Sequence, residues 1–147
     1  MKIQQLSVFL ENKPGRLGEP CQALADAGVN ILTLSLADTH HFGILRLIVP
    51  EWEKAKEVLE AAGLVVDVTE VLALEVADRP GGLADLLGIF EQAGINIEYM
   101  YAFTARLGNL AVLLFRFDDV DAAISALTRA GINPVRPVDL YDRLDEE

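Results

Sequence analysis

The chain has 147 residues, of which 52% are hydrophobic, and its formal net charge is −11 at pH 7. This negative charge argues against nucleic acid and anionic membranes as partners, because both bind proteins through clustered lysine and arginine. A single cysteine excludes a disulfide framework and a cysteine-based zinc site. The N-terminus lacks the apolar segment of a signal peptide and no apolar run is long enough to span a membrane, so we expect a soluble, cytoplasmic protein.

An internal repeat organises the chain. Residues 10–17 (LENKPGRL) recur at 76–83 (VADRPGGL), and residues 27–31 (AGVNI) recur at 93–97 (AGINI). Both recurrences have the same offset of 66 residues, so two motifs repeat in one register. We therefore predict two copies of a single structural unit.

The first copy alternates between strand and helix patterns. Every second residue from Leu6 to Leu10 is apolar, which predicts a strand with one buried face. Pro20 fits only the first turn of the helix that follows, so this helix should begin near Gly18. The first predicted strand contains Leu6, Val8 and Leu10, and the helix after it has an apolar stripe of Leu17, Cys21, Leu24 and Ala25. Two strands follow, over 30–38 and 44–49, joined by a hairpin at Phe42-Gly43. The copy ends with a helix that has a stripe of Ala55, Val58, Leu59 and Ala62, and with a strand over 65–68.

The second copy has the same order of elements. Its first strand contains Leu72, Leu74 and Val76, and the helix after it has a stripe of Leu83, Leu86, Leu87 and Phe90. Two strands follow, over 96–104 and 110–117, joined by a hairpin at Gly108-Asn109. The copy ends with a helix that has a stripe of Val120, Ala123, Ile124 and Leu127, and with a closing strand over 134–138. The acidic ending, from Asp139 onwards, is expected to fray.

All four predicted helices end on the same short pattern. Ala-Gly followed by an aliphatic residue occurs at 27–29, 62–64, 93–95 and 130–132. Glycine just past a helix end adopts the left-handed conformation at low cost, and the aliphatic residue folds back on the last turn. We therefore predict an α+β protein with two ferredoxin-like βαββαβ domains, residues 1–69 and 70–147. Each has an antiparallel sheet with helices on one face, and the two are packed side by side without a flexible linker.

The sequence offers little for catalysis. His40 and His41 lie at a predicted hairpin and have no further ligand at metal-binding spacing. Cys21 lies on an apolar helix stripe, where a small buried side chain is the simpler interpretation. No glycine-rich phosphate-binding motif follows a strand. We expect no catalysis, no cofactor and no metal.

Two recurring polar positions are more informative. Asn12 and Asp78 each precede Pro-Gly at the junction of a strand and a helix, where free backbone N–H groups favour a carboxylate. Asn30 and Asn96 each follow a helix-ending glycine, at a position where a plain strand would favour an apolar residue. The alternative interpretation is structural: the Pro-Gly segments only make turns, and the asparagines only satisfy helix-end carbonyls.

The segments ENKPGRL…AGVNI and ADRPGGL…AGINI resemble the two signature stretches of the ACT domain, an amino-acid-sensing module of metabolic regulation. The resemblance covers essentially the whole chain, twice. It implies that a free amino acid is held between ACT domains by the loop after the first strand and by the asparagine after the glycine. The residues it implicates are Asn12, Gly15, Arg16, Leu17, Asn30, Asp78, Gly81, Gly82, Leu83 and Asn96.

The resemblance has one departure that bears on the ligand. Members that sense serine carry a histidine two positions before the first polar residue, where this chain has Leu10 and Val76. An apolar or aromatic L-amino acid is therefore expected rather than serine. The expected partners are a second copy, in a homodimer or larger assembly, and a metabolic enzyme. Two alternatives stay open: an acylphosphatase-like hydrolase using Arg16 and Asn30, and an interaction scaffold without a ligand.

Overall fold

The computed structural model describes residues 1–103 and 110–145. In chain order, the elements are β1 (Ile3–Glu11), α1 (Gly18–Asp26), β2 (Thr33–Thr39), β3 (Phe42–Ile48), α2 (Trp52–Ala61), β4 (Val65–Ala77), α3 (Gly82–Gln92), β5 (Ile97–Ala102), β6 (Leu110–Phe117), α4 (Val120–Arg129) and α5 (Pro137–Asp145). None of the helices in these ranges is long and apolar enough to cross a membrane. The predicted hairpin at Gly108-Asn109 lies outside the described residues.

The elements form two compact units. The first unit comprises Gln4–Thr69, and the second comprises Met1–Ile3 together with the described residues from Glu70 onwards. The division falls within β4, which has no break in its strand conformation.

The first unit is an antiparallel sheet covered by two helices. Its strand order is β2-β3-β1, with Leu6 and Val8 of β1 opposite Leu47 and Leu45 of β3. Every second residue of β1 from Leu6 to Leu10 enters the core, because successive side chains of a strand point to opposite faces. One buried cluster joins both strands to α1 and α2; it contains Leu6, Val8, Leu10, Leu24, Val29, Leu45, Leu47, Val49, Ala55, Leu59 and Val66.

The second unit repeats this arrangement. Its strand order is β4-β6-β5, with Leu74 opposite Leu113, and Val135 adds one antiparallel bridge to Ala73. The core of this unit is more aromatic than that of the first, because it contains three buried phenylalanines. The ring centroids of Phe90 and Phe117 lie 4.8 Å apart. Its buried residues are Leu72, Leu74, Val76, Leu86, Phe90, Phe115, Phe117, Ala123 and Leu127. The predicted α+β class with two ferredoxin-like repeats is confirmed.

The four predicted helix stops are also confirmed. Gly28, Gly63, Gly94 and Gly131 all have positive φ, between 69° and 85°. After α1, the Gly28 N–H donates to the Ala25 carbonyl at 3.0 Å and the Val29 N–H donates to the Leu24 carbonyl at 2.9 Å. The other three helices end on the same pair of backbone bonds, which is the Schellman motif. The last helix carbonyls are therefore satisfied by the backbone itself.

The first hairpin differs from the prediction. Thr39 pairs with Phe42, so the turn is at His40-His41 and Phe42-Gly43 belongs to β3. The reason is a tertiary contact: the Asn12 N–H donates to the His41 carbonyl at 3.0 Å and so holds the turn in place. His40 has a φ of 26° there, an unusual value for a residue with a side chain.

The first helix begins at Gly18 with Pro20 in its first turn, as predicted, but its apolar stripe is different. Leu17 precedes the helix and is 41% exposed, and Ala25 is exposed. The buried residues are Pro20 and Leu24, four residues apart on one helix face. The stripe predicted for α1 was therefore partly wrong.

The second strands are also shorter than predicted. β2 begins at Thr33 rather than Asn30, and β5 covers Ile97–Ala102 rather than residues 96–104. The two asparagines precede the strands because the helix stop occupies the residues just before them.

The C-terminal prediction was wrong. Residues 134–138 form one bridge rather than a strand, and Pro137–Asp145 is a helix rather than a frayed end. Pro137 suits the first helical position because its φ is fixed there. Arg136 donates to both carboxylate oxygens of Asp139, at 2.8 and 3.1 Å, and Leu140 is only 1% exposed. One buried leucine anchors a helix that looked polar in sequence.

Candidate functional site

The loop between β1 and α1 contains a tight Pro-Gly turn. The Lys13 N–H donates to the Glu11 carbonyl at 2.9 Å, and the Arg16 N–H donates to the Lys13 carbonyl at 3.3 Å. Gly15 has a φ of 85°. Proline followed by a residue with positive φ is the requirement of a type II turn, which explains why glycine stands at position 15.

The loop between β4 and α3 has the same turn. The Arg79 N–H donates to the Ala77 carbonyl at 2.9 Å, the Gly82 N–H donates to the Arg79 carbonyl at 3.0 Å, and Gly81 has a φ of 85°. The helix then begins at once, since the Asp85 N–H donates to the Gly81 carbonyl at 2.9 Å. Leu83 lies within α3, packed against the core of the second unit. The predicted site residues of this loop thus form a turn that runs directly into a helix.

A small cavity of about 80 Å³ adjoins the first loop. It brings together two of the predicted residues, Asn12 and Leu17, but is not lined by Gly15 or Arg16. Its other lining residues are Leu10, Glu11, Lys13, Leu36, Asp38 and Gly43. Leu36 and Asp38 were missed by sequence reasoning, although their alternation in β2 places them on the same sheet face as Leu10.

Arg16 lines a second cavity, which has a volume of about 260 Å³. The same cavity is also lined by Phe9, Glu11, Glu19 and Val65. Its guanidinium donates to the Glu19 carboxylate at 2.6 Å, and this bond raises the pKa of Arg16. The predicted loop residues of the first unit are therefore divided between two cavities.

The charges of both loops are paired locally. The Lys13 ammonium lies 2.9 Å from the Glu11 carboxylate, and it lowers the pKa of Glu11 mainly through that hydrogen bond. In the second loop, Arg79 lies 2.7 Å from Asp85. All four side chains are well exposed, so these pairs add little to stability and can exchange partners with a charged ligand.

Asn30 and Asn96 are exposed and directly follow the helix stops. The Schellman bonds already occupy the last helix carbonyls, so these side chains are not needed as caps. Within the described ranges, neither side-chain amide has a hydrogen bond. The helix-end carbonyls therefore have partners other than the two asparagine amides. Asn12 has a structural contact, because its side-chain amide donates to the His40 carbonyl at 3.4 Å.

The two signature stretches lie at opposite ends of each unit. Asn12 contacts the turn at His40, whereas Asn30 precedes Thr33, which pairs with Ile48 at the other end of the same strands. β2 has 7 residues, which at about 3.3 Å per residue separates the two ends by roughly 20 Å.

The second unit is built alike. Asp78 follows Ala77, which pairs with Leu110, whereas Asn96 bonds Asp118 just beyond the far end of β6. No single unit can bring its own loop and its own asparagine to one small ligand.

The remaining polar groups were compared with the requirements of a metal site. Among the described residues, no three His, Cys, Asp or Glu side chains are grouped so that they could hold a metal ion. Cys21 is half-buried in α1.

The family model described as an ACT domain pair matches residues 1–142. No curated protein matches the sequence. The crystal structure of a protein from Bacteroides thetaiotaomicron is 38% identical, covers 96% of each chain and superposes with a TM-score of 0.88.

Two more distant structures share the fold. The regulatory subunit of aspartate kinase from Thermus thermophilus is 18% identical over 86% of this chain and 91% of its own, with a TM-score of 0.61. Aspartate kinase from Synechocystis is 21% identical over 91% of this chain but only 26% of its own, with a TM-score of 0.59. The match over residues 1–142 and the repeated βαββαβ fold lead to one conclusion: this chain belongs to the ACT domain pair family, a regulatory type of domain.

Proposed function

We propose that this protein is a non-catalytic, cytoplasmic sensor that binds a free L-amino acid and thereby regulates a metabolic enzyme. The proposal rests on the exposure of Asn30 and Asn96 and on the hydrogen-bonding capacity of their side-chain amides. Each unit presents an exposed amide with no hydrogen bond among the described residues, just after a helix end that needs no cap. An amide offers one acceptor and two donors, which suits the ammonium and carboxylate groups of an amino acid.

The ligand is held between two ACT domains. Because loop and asparagine lie at opposite ends of each unit, one domain supplies the loop and another domain supplies the asparagine, from the same chain or from a second copy. Backbone N–H groups at the start of the helix and the loop side chains bind the carboxylate. Buried Leu10 and Val76, 5% and 6% exposed, precede the loops and favour an apolar or aromatic ligand over serine.

Regulation follows from this arrangement. A ligand that touches two domains stabilises the state in which they are correctly placed, and it shifts the population by its difference in affinity for the two states. Chains of similar fold include one named as the regulatory subunit of aspartate kinase, which supports action on a separate enzyme.

The hydrolase alternative has weaker support than amino-acid binding. An acylphosphatase-like reaction would need Arg16 and Asn30 at one substrate. The two residues stand on either side of α1, and Arg16 is bonded to Glu19 at 2.6 Å. An interaction scaffold without ligand is the second alternative, and the binding experiment tests it.

The experiment is a thermal-shift screen of the full chain against the common L-amino acids at millimolar concentration. A ligand at about 100 times its Kd adds about 2.7 kcal/mol, which corresponds to a rise in Tm of several degrees. We expect such a rise with at least one apolar or aromatic amino acid and none with serine. The double variant Asn30→Ala with Asn96→Ala serves as the control and should abolish the rise. A Tm unmoved by every amino acid would favour the scaffold.

A further inference from the structure

The two asparagines that follow helix stops differ in how their backbones are held. The Asn96 N–H donates to the Asp118 carboxylate at 3.2 Å, and the Asp118 N–H donates back to the Asn96 carbonyl at 3.2 Å. β5 begins at the next residue, Ile97, which pairs with Phe117 just before Asp118. Both backbone polar groups of Asn96 are therefore bonded to the residue that follows β6.

The first repeat has a proline where the second has Asp118. Pro50 stands two positions before the start of α2, and Asp118 stands two positions before the start of α4. Proline has neither a backbone N–H nor a carboxylate, so Pro50 can make neither of the two bonds. Within the described residues, the backbone of Asn30 accordingly has no hydrogen bond, and β2 begins only at Thr33.

Asp118 is itself fixed at the start of α4. Its carboxylate also accepts from the Asp119 N–H at 2.9 Å, and the Asp119 carboxylate accepts from the Ala122 N–H at 3.0 Å. The second of these bonds is a helix N-cap, so Asp118 adjoins the ordered first turn of a helix. At the start of α2, by contrast, Glu51 makes no side-chain cap bond. The second repeat thus gives its asparagine a rigid support that the first repeat lacks.

A fixed backbone restricts the positions that a side-chain amide can take. The amide of Asn96 is exposed, and its main chain is held by two bonds before any ligand arrives. Asn30 is exposed as well, but its main chain has more freedom to lose when a ligand binds. Because ordering a group on binding costs free energy, a group that is already ordered binds a ligand more tightly.

We propose that Asp118 is a positioning residue for Asn96, and that the protein in consequence has two amino-acid sites of unequal affinity. The tighter site is formed with Asn96 and the weaker site with Asn30. This inference rests on the proposed amino-acid-sensing function and assigns different roles to the two repeats. The tight site fills at low ligand concentration and the weak site at higher concentration, so the response extends over a wider range than two equal sites would give.

The test is isothermal titration calorimetry on the full chain with L-valine, L-leucine, L-isoleucine, L-phenylalanine and L-tryptophan as probes. For at least one probe we expect two binding phases per chain, with dissociation constants at least about tenfold apart. The tight phase should disappear in Asn96→Ala and the weak phase in Asn30→Ala. Two sites of equal affinity, or a tight phase that depends on Asn30, would overturn the inference.

Variants of Asp118 separate positioning from stability. Asp118→Ala should weaken the tight phase by about tenfold and leave the weak phase unchanged, whereas Asp118→Asn keeps an acceptor oxygen and should restore the affinity. The matched control is Asp119→Ala, which removes the N-cap of α4 and leaves the Asp118 carboxylate in place. It should lower the Tm without changing either phase. If Asp118 acted on stability alone, Asp118→Ala and Asp119→Ala would change binding equally.

The converse change can be made in the first repeat. Pro50→Asp supplies the missing N–H and carboxylate at an exposed position, and it should tighten the weak phase. Pro50→Ala supplies the N–H alone and should tighten it less.

The two levels of the argument fail in different ways. Unaltered affinity in Asp118→Ala and Pro50→Asp, with a probe that still binds the wild type, would overturn the role of Asp118 and leave the sensing function standing. Failure of every common L-amino acid to bind the wild type would instead remove the sensing function itself.

Discussion

Asn96 and Asp118 are joined by two hydrogen bonds that fix the backbone of the asparagine. The Asn96 N–H donates to the Asp118 carboxylate at 3.2 Å, and the Asp118 N–H donates to the Asn96 carbonyl at 3.2 Å. The same carboxylate accepts from the Asp119 N–H at 2.9 Å, just before α4. One aspartate therefore ties the start of β5 to the start of the last helix of the repeat.

Replacing Asp118 with alanine should loosen this connection. Two N–H groups lose their acceptor, so we expect the free energy of unfolding to fall by about 1 kcal/mol. Urea denaturation followed by circular dichroism measures the change. Asp118→Asn keeps an acceptor oxygen and should unfold almost as the wild type does; an equal loss in both variants would assign the effect to charge instead.

The asparagines should matter for binding and not for folding. Asn30→Ala and Asn96→Ala remove exposed amides that have no hydrogen bond in the described structure, so the Tm without ligand should change by less than about 2 °C, as for other surface substitutions. Each asparagine that contacts the ligand should contribute about 1–3 kcal/mol of binding free energy. Calorimetry on both single variants measures the loss.

We expect Asn96→Ala to have the larger effect on binding. Asp118 holds the backbone of Asn96 in place before any ligand arrives, and a preorganised group loses less entropy on binding. A larger loss for Asn30→Ala would contradict this ranking.

Two glycines of α3 should respond in opposite directions to alanine. Gly82→Ala places a Cβ 2.1 Å from the Ala77 carbonyl oxygen, so the helix must shift and the free energy of unfolding should fall by about 1–3 kcal/mol or more. Gly88→Ala meets nothing within 4 Å in the middle of the same helix. It should stabilise the protein by about 0.5–1 kcal/mol, because alanine loses less backbone entropy than glycine. Thermal melts of the two variants give the comparison.

Tyr141 should make the protein sensitive to alkali. Burial raises the pKa of its phenol above the ordinary value of 10.0, so the unfolded chain ionises first as the pH rises. The neutral phenol stabilises the folded state fully below about pH 10, and that contribution is lost as the pH rises toward the folded pKa. Tyr141→Phe lacks the titration. Between about pH 8 and pH 10.5, the wild type should therefore lose more unfolding free energy than the variant.

The protein should be at least a dimer. Among the described strands, β2 is bonded to β3 alone, and it carries Leu34 and Leu36, which are 43% and 52% exposed. Free strand edges with apolar side chains favour pairing. Light scattering should give a mass of at least twice the 16.0 kDa of one chain. A mass that stays at one chain over a wide concentration range would contradict the prediction.

Local sequence signals predicted most of the fold correctly. The Ala-Gly-aliphatic pattern identified all four helix ends of the repeat, because a positive φ at glycine is decided by its immediate neighbours. Alternating apolar residues identified the buried faces of β1 and β4, because successive side chains of a strand point to opposite faces of the sheet.

The errors have a common cause in contacts between residues far apart in sequence. The hairpin at His40-His41 is held by Asn12, 28 residues earlier, and α5 is anchored by one buried leucine, Leu140. The small cavity likewise required the register of β1, β2 and β3, which placed Leu36 and Asp38 beside Leu10. The periodic pattern of apolar residues contains no information about such contacts.

The contact between Gly82 and the Ala77 carbonyl bears on which single changes the second repeat can accept. The clash involves Cβ, which every amino acid other than glycine possesses. Any single-residue change at position 82 therefore acts on folding before it can act on recognition of a ligand. A side chain can enter this position only together with a second change that moves the end of β4 or the start of α3 away from it.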